Sequence, residues 1–280
     1  MKTNFTRSLI ILTAITILYA SCKKSGMKSS EQPSETDYMA LSGQIAANFM
    51  KSLSGQYGGN INSGDIKTPS SINFTHKGPI LFSTANPLCG YTLDTTYSNN
   101  IKPGDSTQYV FGLFKFTYIC DNTRPFGYIE KDSVVNSVTG SKVLNYFYSV
   151  SQNYIVKATD LTYKVVTMDG GINSVISTTT YGPSYMAYGQ STNDITQRTV
   201  STYVLNGVRV DVSGSVPDIT TGSATFVNVI TNINMNHPTG IITGSQGTIQ
   251  FLGNHQARII IQGSTVTYLV DMLTGTVTTG

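Results

Sequence analysis

The sequence predicts a mainly β fold over residues 38–280: a long-stranded antiparallel meander, extended or curled, with one N-terminal helix packed on it. Three observations carry this. One stretch only, 38–54, repeats apolar residues at helical spacing. Beyond Gly59 the apolar residues recur every second position. Turn-forming dipeptides separate the period-two segments, so that successive strands are joined by hairpins.

The helix comes first in the chain. Tyr38, Leu41, Ile45, Phe49 and Leu53 fall at steps of three and four and make one apolar stripe. Thr36 or Asp37 can cap its start by accepting backbone N–H bonds. Gly55 follows as a stop, and Gly43 weakens the interior by about 1 kcal/mol relative to Ala. The stripe predicts burial against the sheet, because a helix of this length is marginal in water by itself.

The strands follow. Residues 108–120 and 142–158 are long segments without a turn signal. Asp169-Gly170 is expected to turn the chain between "LTYKVVTM" and "INSVISTTTY", and Asn206-Gly207 between "TVSTYVL" and "VRVDVSG". In "FVNVITNINM" the apolar face is read as Val227, Val229, Ile233 and Met235. "ARIIIQG" sets Ala257, Ile259 and Ile261 on one face. "TVTYLVDM" does the same with Val266, Tyr268, Val270 and Met272. Gly253-Asn254 and Gly263-Ser264 divide the last three strands. No fixed-period repeat marks a solenoid or propeller.

Before the helix lie two segments of another kind. Lys2 and Arg7 are the only charges ahead of Cys22, and the run Leu9–Ala20 is apolar apart from two threonines. As a helix it would reach about 18 Å, short of the ~30 Å hydrocarbon core, so it reads as an export signal over residues 1–21. Residues 22–37 are small, polar and charged, with Pro33, and read as a flexible tether.

Ala20-Ser21-Cys22 resembles the lipobox of bacterial lipoproteins, with Tyr19 where leucine is usual. That resemblance covers about the first 25 residues. It implies cleavage before Cys22 and acylation of its thiol and new amino group. The protein would then be lipid-anchored in a Gram-negative cell envelope, at the outer membrane, with the membrane as its partner.

Charge narrows the partners. The chain has 18 Lys+Arg and 15 Asp+Glu. Removing Lys2 and Arg7 leaves 16 against 15, a net of +1, which gives no basic surface for nucleic acid. Charged residues are 12% of the chain, about half the usual share, and Ser, Thr, Asn, Gly and Tyr take their place.

With Cys22 acylated, Cys89 and Cys120 remain, and an even pair in an exported chain is expected to form a disulfide. Closing that loop would stabilise by about 3.7 kcal/mol in the chain-entropy model. Two buried free thiols are the alternative, since spacing does not give the Cα separation.

No phosphate-binding loop, dinucleotide fingerprint or zinc-protease motif is present. His76, His237 and His255 are scattered, the last two beside turn residues, and no metal or cofactor is expected. Asp94 with Asp105, or Asp160 with Asp169, could be offered as an acid pair, but with 15 carboxylates such a pairing carries no weight. Tyrosine is the one functional hint. Tyr146, Tyr148, Tyr181, Tyr185 and Tyr188 cluster in two segments, and tyrosine suits a sugar face or a wet sheet surface.

These readings predict a lipid-anchored envelope protein with a non-catalytic binding or structural role. The alternative is a carrier or binder of an apolar ligand or a glycan on a curled sheet. Such a sheet resembles lipoprotein carriers and lipopolysaccharide-transport proteins in architecture alone. An envelope hydrolase is third.

Overall fold

The computed structural model describes residues 35–54, 90, 92–102, 104–121, 124–140, 144–160, 162, 164–181, 194–214 and 216–280. Helix α1 spans Glu35–Ser54. It begins ahead of both expected caps, so Thr36 and Asp37 lie inside its first turn.

Eleven strands follow. They are β1 (Thr92–Ile101), β2 (Thr107–Asp121), β3 (Arg124–Thr139), β4 (Leu144–Ala158), β5 (Val165–Thr180), β6 (Ile195–Asp211), β7 (Asp218–Asn234), β8 (His237–Gly253), β9 (Gln256–Ile261), β10 (Tyr268–Asp271) and β11 (Val277–Thr279). All pair antiparallel, in chain order, in one sheet that does not close into a barrel. The expected fold class is the one observed.

Two turn expectations fail in the same way. Asp169-Gly170 and Asn206-Gly207 do not reverse the chain. β5 runs through the first and β6 through the second, and the ladder between them carries one bulge, where Asn206 and Gly207 of β6 stand against Asp169 of β5. The Gly207 N–H donates to the Asp169 carboxylate there at 2.6 Å. Both glycines have positive φ, +143° at Gly170 and +55° at Gly207. At Gly170 a Cβ would sit 2.3 Å from the Asn153 carbonyl oxygen, so only glycine lets β4 come this close. A bulge bends its strand and increases the local twist. The two dipeptides that mimic hairpin turns thus meet at one irregularity inside the sheet.

The helix lies on the face of the sheet that carries the buried side chains. Its course is marked by three contacts: Tyr38 near Gly263, the Tyr203 hydroxyl donating to the Ile45 carbonyl at 3.3 Å, and the Gln152 amide donating to the Leu53 carbonyl at 3.3 Å. It thus runs from the β9–β10 turn across the sheet to β4. Beneath it lies a row of cross-strand partners: Gln152, Ile172, Tyr203, Phe226, Gly247 and Ile261. Ile45, Phe49 and Leu53 are fully buried, and the Phe49 ring meets Tyr203 edge-on at 5.2 Å and Phe251 at 5.4 Å. Gly43, costly to the helix, is where β11 approaches: a Cβ there would lie 3.1 Å from the Val277 side chain.

The phase of β7 corrects the sequence reading. Ala224, Phe226, Asn228 and Ile230 face the core, and Val227, Ile233 and Met235 are exposed on the opposite face. Hydrophobic count favours the outward set. The inward set is fixed instead by Phe226 under the helix and by Asn228 bonded to Ser201 on β6 at 2.8 Å. β9 and β10 keep the expected phase, with Ala257, Ile259, Ile261, Tyr268, Val270 and Met272 all buried.

Candidate functional site

The helix-bearing face divides into zones by what covers it. Around α1 it is dry: Val156, Met168, Leu205, Val208, Ile249, Phe251 and Val270 are buried with the helix stripe. One row further toward the β7–β8 turn it is polar. There Ser174, Ser201 and Asn228 stand in register and are buried, with Ser245 next in the row on β8. Two rows on, the Gln197 amide donates to the Asn232 carbonyl group at 3.0 Å.

Where the helix ends, β3 and β4 bring acids and tyrosines inside. Glu130 lies opposite Tyr154 and Asp132 opposite Gln152 in the ladder, with Tyr128 beside them, and all five are buried. The hydroxyls of Tyr128 and Tyr154 are pushed well above the usual tyrosine range, first by burial and then by the Glu130 carboxylate. They stay protonated, so they can serve there as hydrogen-bond donors. Charge alone would place Glu130 and Asp132 in solvent. They share parity with buried Tyr128 and Val134, with exposed Lys131 between.

The expected site residues are dispersed. Tyr148 is part of the core, Tyr146 is half-buried at the start of β4, and Tyr181 follows β5 with its hydroxyl bonded to the Asn145 amide. Cys120 is half-buried near the end of β2. Cys22, Cys89, Tyr185 and Tyr188 lie outside the described residues, as does His76.

Three of the four acids weighed from sequence serve local structure, and Asp105 is exposed between β1 and β2. Asp94 pairs with Lys115 at 3.6 Å, Asp160 accepts from the Thr162 N–H at 2.8 Å, and Asp169 holds the β6 bulge. Asp218 accepts from the N–H groups of Asn254 and His255, both at 2.8 Å, in the tight β8–β9 turn. Asp211 and Asp271 have carboxyls held below the usual range, Asp211 by the Ser213 hydroxyl and Asp271 by the Thr274 N–H. Among the described residues no group of three or more His, Cys, Asp or Glu gathers to hold a metal ion. No described helix is long and apolar enough to cross a membrane.

What the fold and this arrangement define is a class by architecture: among the described residues, an antiparallel sheet not closed into a barrel, with one helix packed on it. No family model, no curated protein and no solved structure matches the chain.

Proposed function

We propose that this is a lipid-anchored cell-envelope protein with a non-catalytic binding or structural role. The observation that carries it is the apolar run ending in Ala20-Ser21-Cys22, followed by a short polar tether to the folded residues. Acyl chains at Cys22 would each contribute about 0.8 kcal/mol per buried CH2 to membrane attachment. The engagement of Asp94, Asp160, Asp169, Asp211, Asp218 and Asp271 in turns, bulges and strand ties supports the non-catalytic part. Cys22→Ala is expected to move the protein out of the membrane fraction and to abolish labelling by a fatty-acid analogue. Unchanged partitioning of that variant would defeat the reading.

Anchoring is joined by a crosslink in this proposal, between Cys89 and Cys120. The Gly90 N–H donates to the Tyr118 carbonyl at 3.1 Å, which sets the residue after Cys89 beside the strand that carries Cys120. Unfolded, unreduced protein should therefore take up no thiol reagent at these two positions; rapid labelling of both would refute the bridge.

A second reading, a carrier of an apolar ligand, is favoured by one observation. The dry zone of the sheet is covered by a single helix, so displacement of α1 would open an apolar groove. A fluorescent fatty acid that binds the protein, and binds more tightly when Phe49→Ala loosens the helix, would support this reading over the first.

A further inference from the structure

Among the described residues, three stretches of the sheet's edge have no paired neighbour, and they are not alike. β1 carries Asp94 on its edge strand, tied to Lys115. β11 is three residues long. The third is the upper part of β8. β9 pairs with β8 only from Gly247 onward, and the Gln262 N–H takes the Gln246 carbonyl at 2.8 Å. Residues 237–245 therefore have β7 on one side and, among the described residues, nothing on the other.

Natural sheets blunt such edges with charge, proline or shortness. β1 has charge and β11 is short. On β8, His237–Ser245 reads HPTGIITGS: one proline at its start and no Asp, Glu, Lys or Arg. Apolar side chains stand out on both faces, Ile241 on the helix-bearing side at 47% exposure and Ile242 on the opposite side at 68%.

We infer that this edge pairs with the same edge of a second copy of this chain, antiparallel, about a twofold axis. A twofold perpendicular to a sheet keeps each residue on its own face, so the axis must pass through a residue and not between two. The free stretch 237–245 has Ile241 at its middle. That register uses the whole stretch and stops where Gln262 already occupies the lane. It sets Ile241 against its own copy, Thr239 against Thr243, and Gly240 against Ile242, twice by symmetry. Gly240 thus leaves room for Ile242, and the two Ile241 side chains meet on the axis.

Charge makes the edge compatible with its own copy. Across a twofold an edge bearing one sign of charge meets the same sign on its mate and is repelled. This edge has no formal charge between Pro238 and Gln246. The inference does not depend on how the N-terminus is attached.

The test is a cysteine crosslink in the full chain, extracted in mild detergent. Ile241→Cys should give a covalent dimer on mild oxidation, because directly opposed Cβ atoms lie about 4.5–5.5 Å apart. Val204→Cys, equally exposed in the middle of the face opposite the helix, should crosslink at least tenfold more slowly. Thr243→Lys, which adds charge to the edge, should abolish the Ile241→Cys crosslink and leave the melting temperature unchanged. Equal rates at positions 241 and 204, a crosslink to a different polypeptide, or a crosslink indifferent to Thr243→Lys would each overturn the inference. Light scattering of the unmutated chain gives an independent reading: a dimer mass that Thr243→Lys halves is expected, and a monomer mass at all concentrations would refute it.

Discussion

Two adjacent rows of the helix-bearing face are both buried, yet they are held by different forces. The row under α1 includes Ile172, Tyr203, Phe226 and Ile261, with Gln152 at its end; the next includes Ser174, Ser201 and Asn228, with Val150 at its end. Two residues of strand separate them. The first gains from apolar area removed from water, at roughly 25 cal/mol per Å2. The second gains little area and depends on side-chain hydrogen bonds, each worth about 1 kcal/mol net. The helix is what divides them, since a sheet face needs apolar residues where a partner layer covers it.

The contrast breaks most easily at the helix. Phe49→Ala removes the ring that touches Tyr203 and Phe251 and should cost about 3 to 5 kcal/mol. Chemical denaturation would read this as a lower midpoint. A loss under about 1 kcal/mol would mean that the helix is not the chief cover of the dry row. A smaller effect is expected in the polar row. Asn228→Ala leaves the buried Ser201 hydroxyl without its acceptor and should cost about 1 to 3 kcal/mol. A cost equal to that of Phe49→Ala would erase the distinction between the rows.

The smallest effect sharpens the comparison at the helix end. Tyr128 and Tyr154 hold their protons to higher pH when folded than when unfolded. Above about pH 10, the unfolded chain loses those protons while the folded chain retains them, so stability falls as pH rises. Below pH 10 the two states hold the same protons and this contribution is flat. The melting temperature should therefore drop from pH 9 to pH 11, and Tyr154→Phe should lessen the drop. A drop of the same size in Tyr128→Phe/Tyr154→Phe would assign it to other groups.

The sequence was informative where one local rule acted without competition. The helix stripe was legible because Tyr38, Leu41, Ile45, Phe49 and Leu53 share one period and one cover. β9 and β10 were legible for the same reason, and Asn254 and His255 do adopt the positive φ of a tight turn, at 53° and 57°. The candidate site was much less so. Of the five tyrosines singled out, Tyr148 serves the core, and the inward acids Glu130 and Asp132 gave no chemical signal. Where two local preferences conflicted, as in β7, the pattern of apolar residues pointed to the wrong face.

Residue pattern by itself thus determined the class: one amphipathic helix, many antiparallel strands, and an N-terminus with the marks of export and acylation. Only the tertiary structure decided the phase of β7, the inward course of Glu130 and Asp132, and the fate of Asp169-Gly170 and Asn206-Gly207. The physical reason is common to all three. A turn dipeptide specifies positive φ, not chain reversal, and the same φ serves a bulge when strands continue on both sides. A side chain's face is likewise set by which neighbour arrives to cover it, and that neighbour comes from a distant part of the chain.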